Sequence, residues 1–195
     1  MVRKRTTVPT RPADARVRRS VEALHTALLE LIEIRPLDQI LLREITDRAG
    51  LSYPTFFRRF ASKEELLIDI ARNEVRKLME MSAQAILRRN SQGAQAMCEF
   101  IQMRRKLWET LLTGGAASAM RDEFLFASRE MSKVTTYPRH ELPVELMIGL
   151  FANGTFEVVA WWMRQGYDYP VANVIKLFNV MITDPLVRLR RLKIS

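Results

Sequence analysis

The stretch "LLREITDRAGLSYPTFFRRFASKEEL" (residues 41–66) predicts two short helices joined by a tight turn. A helix from about Leu42 to Ala49 ends at Gly50, which can take the left-handed conformation that closes a helix. Ser52 is a favourable N-cap for the next helix, and Pro54 falls in its first turn, where a missing N–H costs nothing. The spacing therefore predicts a helix, a tight turn and a second helix.

The second of these helices has two chemically different faces. Phe56 and Phe60 are four residues apart and share one face, which predicts that both rings are core. Arginine binds guanine edges or phosphate, hydroxyls donate to phosphate oxygens, and apolar rings contact thymine methyl groups. No acidic residue lies between Leu51 and Lys63, so we predict a DNA-facing surface; the alternative is an ordinary surface helix with incidental arginines. The predicted surface consists of Tyr53, Thr55, Phe57, Arg58 and Arg59.

Apolar periodicity predicts an all-α fold with no convincing strand. The first helix runs from about Val17 to Ile32 and is ended by Pro36. A long fourth helix begins at a capping box formed by Ser62 and Glu65. It is predicted to reach about Arg89, and the later helices are predicted at about 91–113, 116–134, 142–165 and 171–183, with "TTYPRHELP" (135–143) as a connecting loop.

Residues 17–70 resemble the tetracycline-repressor (TetR) family of helix-turn-helix regulators. The residues that fit its pattern are Ile45, Ala49, Gly50, Ser52, Thr55, Phe60 and Lys63. The resemblance implies that Lys63 contacts phosphate and that the following side chains face DNA: Arg43, Thr46, Ser52, Tyr53, Pro54, Thr55, Phe57, Arg58 and Arg59.

Three positions depart from the family's pattern. Phe57 stands where tyrosine is usual, so the tyrosine hydroxyl contact with phosphate is absent and only ring packing is left. Arg59 replaces a common aromatic ring, which could add a contact with a base or phosphate. Leu41 occupies the usual threonine or serine N-cap of the second helix, which leaves that cap to another group.

Positive charge is concentrated at the two ends of the chain. The net charge is +9, and residues 1–19 carry seven bases and one acid. Pro9 and Pro12 predict a flexible basic arm over residues 1–14, which either neutralises DNA phosphates or is only a solubilising tail. Residues 186–195 form a second basic tail. With one cysteine, Cys98, and no secretory signal, the chain is expected to be cytoplasmic.

The last two predicted helices are apolar nearly all round, so each must be covered on two sides. One cover is the protein's own core, and the other is most economically a second copy of the chain. The segment "VVAWWMRQG" (158–166) resembles the same family, which implies a four-helix dimer interface. A membrane span is the rival interpretation, but Glu145, Asn153 and Glu157 interrupt the apolar run. The predicted interface residues are Ile148, Val158, Trp162, Val174, Phe178 and Met181.

The helices after residue 70 supply enough large apolar surface to line a ligand pocket. The alternative is that all of this surface is core. Glu157, a carboxylate in an apolar helix, is predicted either to pair with an arginine or to meet a polar group of the ligand. The other candidate pocket residues are Leu78, Met81, Met97, Phe100, Ile101, Trp108, Met120, Phe124, Phe151 and Trp161.

Catalysis has little support in the sequence. His25 and His140 are isolated from each other, and no metal-ligand spacing or glycine-rich phosphate loop is present. We therefore predict no enzyme, cofactor or metal. The predicted protein is a homodimeric repressor that a small apolar or aromatic ligand releases from operator DNA. Its helix-turn-helix domain (15–62) precedes a ligand-binding and dimerisation domain (63–185). The alternative is a DNA-binding protein of the same fold that responds to a protein partner or to no ligand.

Overall fold

The computed structural model describes residues 12–87, 93–134 and 143–189, and every regular element in these ranges is helical. The chain divides into two compact units, Met1–Leu66 and Leu67–Ser195. The predicted arm lies outside the described residues up to residue 11, as do most of the predicted loop and the end of the tail. The α-helices are α1 (Pro12–Ile34), α2 (Leu42–Ala49), α3 (Tyr53–Phe57), α4 (Lys63–Leu87), α5 (Gly93–Met103), α6 (Arg105–Thr113), α7 (Ala117–Val134), α8 (Val144–Met163), α9 (Val171–Phe178) and α10 (Asp184–Leu189).

In the N-terminal unit, α1 packs against α2, and α2 packs against α3. Their shared core is mostly apolar. A charge pair between Arg35 and Glu44 joins the end of α1 to the start of α2. The core side chains include Leu24, Leu28, Ile32, Ile45 and Phe56.

The turn between α2 and α3 has the predicted left-handed glycine. Gly50 has φ +65°, and the backbone N–H of Leu51 donates to the Thr46 carbonyl at 3.0 Å. Ser52 occupies the N-cap position with an extended backbone, but its hydroxyl makes no capping hydrogen bond. The α3 cap therefore rests on backbone geometry and on Pro54 in the first turn.

Two helix starts use glutamate in place of the expected arrangement. At α2, Glu44 accepts a hydrogen bond from the Leu41 N–H at 2.9 Å, which supplies the cap that Leu41 cannot make. The pKa of Glu44 is lowered, mainly by the hydrogen bond from Arg35 and next by the bond from this N–H. At α4, the Ser62 hydroxyl accepts the Glu65 N–H at 3.2 Å, as predicted. Glu65 reaches the N–H of Ala61, one residue before the predicted partner.

The predicted helix over 91–113 is two helices, which corrects the sequence assignment. The helical conformation is interrupted at Arg104, whose backbone has φ −125° and ψ 30°. The Arg104 guanidinium pairs with the buried carboxylate of Glu74 and lies 5.5 Å from the Phe100 ring centre. Because a buried carboxylate needs a close cation, this long-range pair fixes Arg104 where local periodicity favours a continuous helix.

In the C-terminal unit, α8 is the central helix and packs against α6, α7 and α9. It is the one helix of the described ranges that is long and apolar enough to cross a membrane, and half of its most apolar window is buried in the unit. Cys98 is also buried, and burial raises the pKa of its thiol to about 12. The largest fully buried rings of this unit are Trp108, Phe124 and Trp162.

The helical segment that begins with α9 at Val171 is longer than predicted. A π-helical segment, Asn179–Thr183, continues α9 and leads directly into α10. Pro185 cannot donate the backbone N–H that a regular α-helix would give to the Met181 carbonyl, which accounts for a wider turn just before it. α8 approaches this segment closely, because a Cβ placed on Gly154 would lie 2.4 Å from Cδ1 of Ile182.

Helix α1 begins earlier than predicted. α1 begins at Pro12, inside the range assigned to the arm from the sequence. Proline is compatible with the first turn of a helix, because its missing N–H has no intrahelical partner there. At the other end, α10 extends to Leu189 and so includes the first residues of the predicted tail.

Candidate nucleic-acid interface

Helix α3 has one buried face and one exposed face, as the sequence predicts. Phe56 is fully buried and Phe60 is nearly so, which confirms both as core residues. On the other side, the Tyr53 and Phe57 side chains are 42% and 54% exposed. Exposed rings of this size on a five-residue helix cost free energy unless another molecule covers them.

The exposed rings are fixed by contacts with the core. Phe57 meets the buried Phe56 edge to face, with ring centres 5.5 Å apart. Tyr53 lies 6.1 Å from Phe57, and Phe56 lies 5.9 Å from Phe60. The aromatic surface of α3 is therefore held in place before any partner binds.

A chain of hydrogen bonds runs along α3 beside these rings. The Ser52 and Thr55 hydroxyl oxygens are 3.0 Å apart, and Nη2 of Arg58 donates to the Thr55 hydroxyl at 2.9 Å. Arg58 and Arg59 are both exposed. The structure thus brings two guanidinium groups, two hydroxyls and two rings onto one short helix, with no carboxylate on it.

The two α2 residues implied by the family resemblance behave differently. Arg43 is exposed and pairs weakly with Asp47 at 3.6 Å. Thr46 is 1% exposed, and its hydroxyl donates to the Arg43 carbonyl at 2.9 Å. The expectation that Thr46 faces DNA is therefore corrected: its side chain is turned back onto its own helix and buried.

Lys63 has a structural role that the sequence does not indicate. Its Nζ donates to the carbonyls of Leu37 and Ile40, each at 2.8 Å, and lies 3.4 Å from the Asp38 carbonyl. These carbonyls belong to the 3-10 turn (Leu37–Gln39) and the residue after it, more than twenty positions earlier in the chain. The predicted phosphate contact would compete with these bonds, so in the structure Lys63 fastens the turn before α2.

Replacing Lys63 by methionine is expected to destabilise the N-terminal unit. Hydrogen bonds from a charged donor contribute about 1.5–3 kcal/mol, so the loss of this group should lower the unfolding free energy by about 2 kcal/mol. Chemical denaturation measures this change. Lys133→Met is the matched control, because Lys133 is exposed and its ion pair in the described structure is with Glu130, an exposed residue of its own helix. If Lys63→Met left the stability unchanged and made the salt dependence of DNA binding less steep, Lys63 would contact DNA phosphate as first predicted.

Sequence comparison identifies the domain that contains this interface. The family model described as "Bacterial regulatory proteins, tetR family" matches residues 24–70, which include α2, the turn and α3. Residues 24–70 are thus similar to the N-terminal domain of TetR-family regulators. No curated protein matches the sequence closely enough to count as a relative.

Two solved structures share the fold of this chain. The "Dihydroxyacetone kinase operon activator DhaS" aligns with a TM-score of 0.61 and 12% identity, covering 90% of this chain and 98% of that one. A TetR transcriptional regulator from Streptococcus agalactiae 2603V aligns with a TM-score of 0.58 and 16% identity, covering 87% of this chain and 97% of that one. At these identities the likeness concerns the fold alone.

Most residues predicted for the dimer interface are buried within the chain itself, which corrects that assignment. Burial by the chain's own helices leaves them no surface for a second copy. Met181, at 60% exposed, is the exception. The buried residues are Ile148, Val158, Trp162, Val174 and Phe178.

Several predicted pocket residues belong to the core, the alternative that the sequence left open. Phe100, Phe151 and Trp161 are half-buried, and Met81 is exposed. Glu157 is exposed and pairs with Arg121 at 2.8 Å, which is the first of the two outcomes considered for it. The residues packed in the core are Leu78, Met97, Ile101, Trp108, Met120 and Phe124.

Proposed function

We propose that the chain is a homodimeric transcriptional repressor that binds a pseudo-palindromic operator through α3 and leaves it when a small apolar or aromatic ligand binds. The observation that carries the DNA-binding part is the exposed surface at α3, where Tyr53, Phe57 and Arg58 are exposed while Phe56 is buried. Helices of this kind enter the major groove, where arginine binds guanine and rings contact thymine methyl groups.

A second copy of the chain is the proposed cover for an apolar surface on the C-terminal unit. Leu146 and Leu150 of α8 are more than half exposed, and so are Val180 and Met181 of the adjoining π-helical segment. α8 and this segment pack against each other, so their outward faces belong to one region of the unit. Covering four large apolar side chains recovers about 25 cal/mol for each Å² removed from water, which favours self-association.

A dimer with two-fold symmetry sets the expected form of the operator. Its two recognition helices should meet half-sites separated by about one helical turn of DNA, roughly 34–36 Å. Selection of binding sequences from random DNA, followed by footprinting, tests this proposal directly. A selected DNA site with only one half-site would contradict the proposed dimer.

Introducing charge at the proposed dimer surface should separate the subunits. In the double variant Leu150→Glu/Met181→Glu, two carboxylates per chain would face each other across the interface, so we expect a monomer at micromolar concentration. Operator affinity should fall with it, because one short helix reads too few bases. Sedimentation velocity and DNA titration measure the two effects. Met103→Glu is the control, since Met103 is an exposed apolar residue on α5. A double variant that stays dimeric would contradict the proposed surface.

Release by a ligand requires that the ligand favour one of two arrangements of the protein. A tenfold loss of operator affinity needs about 1.4 kcal/mol of coupling, and DNA must weaken ligand binding by the same factor. Helix α4 is the proposed transmitter because it is continuous over Lys63–Leu87. In the C-terminal unit it is tied by Glu74 to Arg104 and by Arg76 to Glu123 at 2.8 Å. The Glu123 bond raises the pKa of Arg76.

The competing proposal is the same DNA-binding fold under the control of a protein partner, or of no ligand. Screening small metabolites for thermal stabilisation, then titrating each hit with and without operator, separates the two. A hit whose affinity falls in the presence of operator supports release by a ligand. Hits that bind equally well under both conditions favour the competing proposal. A reporter gene behind the selected operator distinguishes repression from activation.

A further inference from the structure

Two exposed rings form a continuous apolar strip along α3, which we call the aromatic strip. It consists of Tyr53, the first residue of the helix, and Phe57, the last. Because the two residues are four positions apart, their side chains lie on the same side of the helix. Their ring centres are 6.1 Å apart, and the residues are 42% and 54% exposed. The strip therefore offers apolar surface to a partner.

The aromatic strip is held on its inner side and open on its outer side. Phe57 meets the buried Phe56 edge to face, with 5.5 Å between the ring centres, which holds the strip against the core. In the described part of the chain no guanidinium lies over either ring of the strip. The Arg58 guanidinium is bonded to the Thr55 hydroxyl instead. An open apolar surface of this kind costs free energy in water until another molecule covers it.

The charges next to the aromatic strip favour DNA as that molecule. Arg58 and Arg59 follow Phe57 directly, and both are exposed. Neither forms an ion pair within the described residues. Guanidinium groups beside apolar rings complement a surface that carries hydrogen-bond acceptors next to methyl groups. The major groove presents such a surface where the O6 and N7 acceptors of guanine lie beside the methyl group of thymine.

The length of the aromatic strip sets how many base pairs it meets. Base pairs follow each other about every 3.4 Å along the DNA axis. Two rings whose centres are 6.1 Å apart therefore meet two different base pairs. Recognition helices contact base edges through their N-terminal residues, and Tyr53 is the first residue of α3. Each ring is thus placed to contact a base of its own.

We propose that the aromatic strip binds the 5-methyl groups of two pyrimidines in each operator half-site, next to a guanine that Arg58 binds. Tyr53 covers one methyl group and Phe57 covers the other. The group recognised is the methyl itself, which thymine carries and which cytosine gains when it is methylated at the same ring position. The inference rests on the proposed function, because it needs α3 to be the recognition helix, and it adds which bases this helix distinguishes.

Replacing thymine by uracil in the selected operator tests the proposal, because uracil lacks only the methyl group. Burying one methyl group changes the affinity about fourfold, so removing it from both half-sites should weaken binding about sixteenfold. Fluorescence anisotropy titration should find this loss at two positions of each half-site. At the same positions, 5-methylcytosine should bind about sixteenfold more tightly than cytosine. If no uracil weakened binding, or if methylation of cytosine had no effect, the inference would be overturned while the DNA-binding proposal would stand.

Variants of the aromatic strip assign the two methyl groups. In Phe57→Ala the effect of uracil should disappear at one of the two positions, and in Tyr53→Ala it should disappear at the other. Phe126→Ala is the matched control, because Phe126 is 58% exposed on α7, and it should keep both effects. If both effects persisted in both strip variants, other side chains would contact the methyl groups and the strip would be refuted. Failure to select any operator would refute the DNA-binding proposal, and this inference with it.

Discussion

Replacing Arg58 and Arg59 together by alanine should lower operator affinity by about a thousandfold or more while leaving the fold intact. Both side chains are exposed, and Arg58 has only the Thr55 hydroxyl as a partner in the described structure. Each arginine contact with a base is worth about 1–3 kcal/mol, and the proposed dimer would present four of these arginines. A loss of at least about 4 kcal/mol follows, which is near a thousandfold in affinity.

The control for this variant must remove the same charge from a different surface. Arg72 and Arg129 are exposed residues of the C-terminal unit, and the Arg72→Ala/Arg129→Ala variant changes the net charge equally. It should bind the operator nearly as well as the wild type. Electrophoretic titration at two salt concentrations separates base recognition from the general effect of charge. If the two double variants weakened binding equally, α3 would not be the recognition helix.

The second large effect is expected at two adjacent phenylalanines with opposite roles. Phe56→Ala should lower the unfolding free energy by about 3–5 kcal/mol, because the ring is fully buried and packs against Phe57 and Phe60. Phe57→Ala should have a small effect on stability, because that ring is half exposed, but it should weaken operator binding.

Denaturant titration and DNA titration of both variants distinguish these outcomes. Each substitution removes the same ring from neighbouring positions, so each variant is the control for the other. The assigned orientation of α3 requires that Phe56→Ala mainly lose stability and that Phe57→Ala mainly lose affinity for the operator. Similar stability losses at both positions would mean that Phe57 is part of the core and that α3 presents a different face.

Local rules predict much of the helix-turn-helix. The four-residue spacing of Phe56 and Phe60 identified the buried face, and Gly50 has the left-handed conformation that its position indicated. These features depend on residues within one or two helical turns. Burial of Thr46 and the contacts of Lys63 depend on packing with other elements, and no local pattern indicates them.

The same distinction explains the errors in the C-terminal unit. α8 is apolar nearly all round, so periodicity alone cannot say which side faces the chain's own core. The residues assigned to the dimer, such as Val158 and Trp162, proved to be on that inner side. Arg105 resembles any surface arginine in the sequence "RRKLWE", and only the tertiary structure shows that it is buried.

The hydrogen bond between Arg58 and Thr55 has a consequence for the temperature dependence of recognition. A long side chain that must become ordered on binding loses rotamer entropy equivalent to about 1.5–2 kcal/mol. Arg58 is already held over α3 by the Thr55 hydroxyl, which is itself in contact with Ser52. Part of that entropy is therefore lost when the protein folds, before it meets DNA. The association of this helix with DNA should accordingly carry a smaller entropic penalty at Arg58 than at Arg59, whose guanidinium has no such tether in the described structure.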